Sequence, residues 1–195
     1  MHYPISAALL VVTGALLLPA VAHAGGASTT DLAFFGKDPG QTRAFACYTR
    51  RYDADHLAAH KQQNVRDMTV LVDSNVDPEN VRGYAVDLGV HFRDANAQFQ
   101  SGGDCSVSED GTQGLNCGVD CDGGEIDVKL DGANSLLVSI PYGVRIWDPS
   151  SGDDAPDRAR FGSDDVSFRL DRTDLSECAP LAPDDDVKAM LSPTQ

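Results

Sequence analysis

The sequence predicts an all-β fold, a sandwich or barrel of about eight short antiparallel strands with one short helix, stapled by disulfides. The main observation is alternation: apolar residues occupy every second position of several short runs, most clearly in 84–93. That period places the apolar side chains on one face of a strand. Gly, Asp, Asn and Pro separate the runs, as expected for turns. Five cysteines behind an apolar leader favour disulfide bonds.

The leader, residues 1–24, has the pattern of a secretory signal. Its apolar run is interrupted by Pro19 and is followed by Ala-His-Ala at 22–24, a small-x-small cleavage site. An uncleaved membrane anchor is the alternative, and both features argue against it. We therefore expect an exported protein, periplasmic or extracellular, with no membrane segment in the mature chain.

The rest of the chain divides into a predicted single β domain, 25–178, and a predicted flexible tail, 179–195. The domain begins with a loose arm over 25–42 that contains a short structured piece near 32–35. The tail has three prolines and three consecutive aspartates. It is expected to be disordered or to hold one short Asp-capped helix at 187–191.

Between the arm and the tail, the alternation predicts strands separated by turns. The predicted strands cover 45–52, 68–72, 84–93, 99–105, 106–108, 126–130, 136–140, 144–147 and 166–170. Good helix formers after Asp53 and Asp55, either of which can serve as the N-cap, predict a helix over 54–63. This helix is expected to pack on a sheet edge or to cap one end.

The charge of the chain narrows the classes of partner. With 15 basic and 30 acidic residues, the formal net charge is −15. Such a charge disfavours nucleic acid and anionic membranes, because like charges repel. It suits a cation, simple solubility, or a basic protein partner such as a lysozyme or protease to be inhibited.

The densest chemistry lies in the segment 117–127, which reads C-G-V-D-C-D-G-G-E-I-D. Asp122-Gly123 is a turn signal, with the glycine supplying a positive φ. Four carboxylates close in sequence suggest Ca²⁺ as a cofactor, since hard cations prefer several oxygen ligands. These candidate metal ligands are Asp120, Asp122, Glu125 and Asp127. The alternative is a plain turn whose aspartates bond local backbone, because the spacing does not match an EF-hand.

The five cysteines can form two bridges and leave one thiol. We expect the pairs to come from Cys105, Cys117, Cys121 and Cys178, with the connectivity left open. Cys47 lies in a predicted strand and is expected to be a buried, inert thiol.

The histidines lack a catalytic pattern. His56 and His60 stand four apart on the predicted helix, a spacing found in helical zinc sites. The residue after His56 is Leu57, where a metalloprotease needs Glu, so we favour a polar helix face. His91 is expected to be a solvated cross-strand neighbour.

The G-V-D-C-D-G-G segment, the leader and an aromatic strand before D-x-x-H-L-A-x-H resemble a family of small exported bacterial proteins, itself uncharacterised. The resemblance covers most of the mature chain and implies no activity. It marks a set of motif positions only. These are Cys117, Asp120, Cys121, Asp122, Gly123 and Gly124.

No nucleophile elbow and no phosphate-cradling glycine loop occurs in the sequence. We therefore expect an exported, non-enzymatic binding or structural domain. A calcium-stabilised domain with an acidic turn site is one alternative. A cell-envelope hydrolase, which would need His56 or His91 brought beside an Asp, is the other.

Overall fold

The computed structural model describes residues 28–109, 113–120 and 122–192. Within these ranges the chain forms a closed barrel of eight antiparallel strands, which confirms the predicted all-β class. The strands are β1 (Ala44–Arg51), β2 (Val65–Val76), β3 (Arg82–Phe92), β4 (Gln98–Val107), β5 (Gly114–Gly118), β6 (Glu125–Leu130), β7 (Ser135–Ser139) and β8 (Ser167–Thr173). The helices are α1 (Thr29–Phe35), α2 (Ala54–Ala59), a 3₁₀ segment (Leu175–Leu181) and α3 (Asp185–Leu191). The predicted signal, 1–24, lies outside the described residues.

The strands follow one another around the barrel in chain order, and β1 pairs with β8 to close it. Because successive strands run in opposite directions, their connections alternate between the two ends. The connections β1–β2, β3–β4, β5–β6 and β7–β8 lie at what we call the long-loop end. The α1 end is the opposite one, where α1 lies against the ends of β3 and β8.

The barrel interior is filled by the apolar face of each strand. In β3 the alternation is as predicted: Tyr84, Val86, Leu88, Val90 and Phe92 are buried. Large side chains from other strands complete the core. Among the fully buried ones are Tyr48, Met68, Phe99, Leu115, Ile126, Leu136 and Phe168. Burial of this much apolar surface is the main force that stabilises the barrel.

Helix α1 closes the α1 end with both apolar and polar contacts. Phe34 is completely buried and belongs to the barrel core. The buried carboxylate of Asp31 accepts a hydrogen bond from the Tyr84 hydroxyl at 3.1 Å and pairs with the Arg82 guanidinium, Nε to Oδ2 3.0 Å. Arg172 donates to the carbonyl oxygen of Phe34 and to the Tyr48 hydroxyl. The short structured piece predicted near 32–35 is thus a helix that begins at Thr29 and is bonded to the barrel.

The C-terminal segment packs on the outside of the barrel, which corrects the prediction of a flexible tail from residue 179. A second apolar cluster joins the outer faces of β1 and β2 to the 3₁₀ segment and α3. Its buried members are Cys47, Leu71, Cys178, Leu181, Val187 and Leu191. The Asp184 side chain caps α3 by accepting from the Val187 N–H at 2.7 Å. The expected Asp-capped helix is therefore present, two residues longer at its start.

The structure also corrects the cysteine assignment. Cys47 is bonded to Cys178, and Cys105 is bonded to Cys117 across β4 and β5. The prediction of an inert Cys47 thiol is wrong because its side chain points out of the barrel, toward a segment 131 residues away in sequence. Cys121 lies outside the described residues. No helix of the described chain is long and apolar enough to cross a membrane.

Candidate functional site

The candidate site is built where the barrel wall is incomplete. Strand β5 is short and pairs with only the last part of β4, from Asp104 onward. The first half of β4 is instead covered by the β7–β8 loop, where Trp147 and Gln100 exchange two backbone hydrogen bonds of 2.8 and 2.9 Å. The segment 144–147, predicted as a strand, therefore forms isolated bridges that complete the wall. The sequence predicts a regular strand there because the residues of 144–147 have the pattern of an extended chain.

The β5–β6 turn beside this segment is rigid. The Val119 N–H donates to the Gly124 carbonyl at 3.0 Å, and the Gly123 N–H donates to the Val119 carbonyl at 3.1 Å. The positive φ predicted for Gly123 belongs instead to Asp122, at 59°, and to Gly124, at 92°. Gly123 is required for space, because an added Cβ would lie 2.5 Å from a Val119 methyl carbon.

Tyr142 stands on the neighbouring turn with 97% of its surface exposed. The turn is closed by a hydrogen bond from the Gly143 N–H to the Ile140 carbonyl at 2.9 Å. It is fixed to the β5–β6 turn by the Arg145 N–H, which donates to the Gly123 carbonyl at 2.7 Å. Pro141 pre-sets the backbone at the turn position that favours proline. The tyrosine is thus exposed on a support that is bonded on both sides.

A buried carboxylate anchors the far side of the long loop. Asp165 is 1% exposed and accepts backbone hydrogen bonds from Asn64 at 2.7 Å, Gly162 at 2.8 Å and Val65 at 3.1 Å. Burial raises the pKa of Asp165, while these N–H groups and the Arg93 charge act against the rise. The contact ties the end of the loop to the start of β2, so the loop is held at both of its ends.

Three adjoining surface depressions lie over these two turns, with volumes of about 320, 560 and 660 Å³. Val119 lines the first and second, while Asp122 and Tyr142 line the second and third. We call them together the loop groove. The side chains that define it are Val119, Asp120, Asp122, Glu125, Tyr142 and Trp147.

The four predicted calcium ligands are distributed over this surface. Asp122 and Glu125 line one depression, and Asp120 lines the neighbouring one. Asp127 lies apart on the outer face of β6, where it accepts from the Asn116 amide at 2.6 Å. Within residues 28–109, 113–120 and 122–192, no group of three or more His, Cys, Asp or Glu side chains is placed to hold a metal ion. Calcium binding there stays a prediction without support from this geometry.

The histidines lie in two separate environments. His56 stacks on both Tyr52 and His60, with ring centroids 4.5 and 4.3 Å apart, and its Nε2 lies 3.0 Å from the buried Gln63 amide oxygen. The helix that carries His56 begins after the predicted Asp53 cap but ends at Ala59, not 63, and His60 is its C-cap residue. At its end the Arg93 guanidinium donates to the carbonyl oxygens of Leu57 and His60.

His91 is a cross-strand neighbour as predicted, and its Nδ1 lies 2.6 Å from the Asp67 carboxylate. An imidazole beside a carboxylate is part of a nucleophilic hydrolase site. In the described chain, however, no Ser, Thr or Cys side chain is hydrogen-bonded to His91, His56 or His60. For the hydrolase alternative, His91 is thus an oriented base, but the described residues place no nucleophile beside it.

Sequence reasoning found the acidic half of the groove and missed its aromatic half. The sequence pattern assigns no role to Tyr142, which lies between the strands predicted over 136–140 and 144–147, and it places Trp147 in the second of them. A usable signal was present, because an aromatic residue between Pro141 and Gly143 sits at the tip of a turn, where it cannot be buried by its own strand.

Comparison with known proteins adds no relative. The chain matches no family model, no curated protein and no solved structure. The resemblance carried by the segment 117–124 stays a prediction.

Proposed function

We propose that the chain is an exported, non-enzymatic binding domain whose loop groove binds a basic protein partner. The observation that carries the proposal is Tyr142, almost fully exposed beside Asp122 and Glu125 on two turns that are bonded to each other. Aromatic side chains on rigid supports are typical anchors of protein interfaces.

The charge of the groove supports a cationic partner. Asp120, Asp122 and Glu125 are exposed, and none of them forms an ion pair with another described residue. The net charge of −15 adds a long-range field that attracts basic proteins and raises their association rate at low salt. The leader pattern of residues 1–24 and the two disulfides support export, since disulfides persist in oxidising compartments.

The test measures binding of basic probe proteins, a lysozyme and a cationic protease, by calorimetry at low and physiological salt. We expect binding that weakens with salt, and a loss of about 30-fold in affinity for Tyr142→Ala. The Asp122→Asn, Glu125→Gln double variant should weaken binding several-fold.

Matched controls come from the α1 end. Glu79→Gln removes an exposed carboxylate, and Val81→Ala truncates an exposed apolar side chain. Both should bind like the unchanged protein. Equal losses for the controls and the groove variants, or no preference for basic over acidic proteins of similar size, would refute the proposal.

A further inference from the structure

The three depressions of the loop groove adjoin one another through shared lining residues, and we call their succession the path. The first depression is lined by Gly102, Trp147 and Asp120. It meets the second at Val119 and the third at Arg145. The second and third share Asp122 and Tyr142. A ligand that follows the path therefore passes both turns without leaving the surface of the barrel.

The carboxylates are placed along this path and not around one point. Asp120 lines the first depression, whereas Asp122 and Glu125 line the second. The cation among them, Arg145, is bonded through Nε to the Asp154 carboxylate at 2.7 Å. A single cation could use only part of this arrangement, while successive cationic side chains of one chain could use all of it.

Aromatic surface accompanies the carboxylates. Trp147 lines the first depression, Tyr142 the second and third, and Phe161 the third. Aromatic faces attract ammonium and guanidinium groups and also cover the aliphatic stems of Lys and Arg. Each depression therefore combines an apolar face with a negative rim or a polar turn.

The path is preformed, since backbone hydrogen bonds hold both of its walls. Trp147 is bonded to Gln100, and Arg145 is bonded to Gly123. An added Cβ at Gly124 would lie 2.8 Å from the Gly143 carbonyl oxygen, so the two turns meet through their backbones. Binding of a ligand would therefore cost little free energy for reorganisation of the groove.

We infer that the loop groove takes an extended peptide segment of the partner, with Lys or Arg side chains beside Asp120 and beside Asp122 and Glu125. This inference rests on the proposed function and specifies how the partner is held. A neutral oligosaccharide would also stack on Trp147 and Tyr142, but it would gain no electrostatic attraction from the three carboxylates. The charge therefore favours the peptide.

The only tryptophan of the chain is Trp147, and this makes the first depression directly observable. The experiment titrates the oxidised protein with a linear ten-residue peptide that alternates Lys or Arg with small residues, and follows Trp147 emission. We expect a saturable change in emission. Tyr142→Ala, which alters a different depression, should lower the peptide affinity obtained from this titration about 30-fold. Glu79→Gln should leave that affinity unchanged.

The outcomes separate this inference from the proposed function. If the basic proteins bind in a manner sensitive to Asp122 and Glu125 but the peptide does not, the extended segment is refuted and the basic partner stands. If the peptide changes Trp147 emission equally in Tyr142→Ala, the ligand does not span the path and the inference is refuted. If neither protein nor peptide binds, both fall. A neutral oligosaccharide that gives the same signal with the same variant losses would overturn both in favour of sugar binding.

Discussion

Two sets of carboxylates, one at each end of the barrel, differ in how they are paired. At the α1 end, Asp31 is buried and is matched by the Arg82 guanidinium and the Tyr84 hydroxyl. At the long-loop end, Asp122 and Glu125 are exposed and have no ion pair among the described residues. A buried carboxylate needs such partners because an unmatched one is costly. An exposed carboxylate needs none and stays available to a ligand.

The helices repeat the contrast. Helix α1 places Phe34 and Phe35 in the barrel core, whereas α2 buries no residue and is held by ring stacking and by Arg93. Two aromatic residues show the same contrast in burial: Phe34 at the α1 end is 0% exposed, and Tyr142 at the long-loop end is 97% exposed. The described aromatic side chains of α1 are therefore buried in the core, whereas Tyr142 at the long-loop end lies in water.

The largest expected difference between the two ends comes from truncating one aromatic side chain at each of them. Phe34→Ala should lower the free energy of unfolding by about 3–5 kcal/mol, because it leaves a cavity under α1. Tyr142→Ala should change it by less than about 0.5 kcal/mol, since its side chain is already in water. Denaturant titrations with the disulfides intact measure both. Equal effects would show that the two ends are not distinct.

Asp87, a carboxylate on the barrel wall, gives a second test of how burial acts on a charge. Burial, followed by the charge of Asp73, raises the pKa of Asp87 to about 6, and the Asp104 charge adds to it. The nearby cation, Arg43, acts against the rise but is already bonded to Asp73. Asp87 is therefore only partly buried, whereas Asp31 is fully buried, and Asp87 lacks an ion pair of its own in the described chain.

The sign of the pH effect follows from this shift. A raised pKa means that folding favours the protonated form, so the contribution of Asp87 to stability is present below about pH 4 and is lost as the pH rises through 6. Asp87→Asn should accordingly be more stable than the unchanged protein at pH 8, by on the order of 2 kcal/mol. The difference should shrink toward pH 4. Unfolding of both proteins at the two pH values is the measurement, and a pH-independent difference would contradict the assignment.

The smallest expected effect concerns calcium. Since Asp127 is bonded to Asn116 and the other three carboxylates line two depressions, we expect Ca²⁺ to leave the thermal midpoint of unfolding unchanged relative to EDTA. The control is the Asp120→Asn, Asp122→Asn double variant. A rise of several degrees in the unchanged protein that disappears in this variant would restore the calcium site.

Local pattern explains the parts of the fold that could be predicted. The inward face of β3 follows from residues two apart, and the Asp53 cap follows from its position before a helix former. The errors fall where the answer depends on distant residues. Segment 144–147 looks like a strand, but its partner Gln100 lies in the part of β4 that the short strand β5 does not reach.

The candidate site shows the same division. Its acidic residues are close in sequence and could be predicted, although the positive φ expected at Gly123 belongs to its two neighbours, Asp122 and Gly124. Its aromatic residues come from another loop, and nothing in either segment specifies that the two meet. The hydrogen bond between Arg145 and Gly123 that joins them is a product of barrel closure.

By itself the sequence determined the strand faces, the turn chemistry and the negative charge, because these depend on residues next to each other in the chain. Only the tertiary structure decided that Cys47 joins Cys178, that the C-terminal segment covers the outer wall and that Tyr142 and Trp147 border the acidic turn. Each of these requires two segments to meet in space. Which segments meet is set by the closure of the whole barrel and the burial of its shared core.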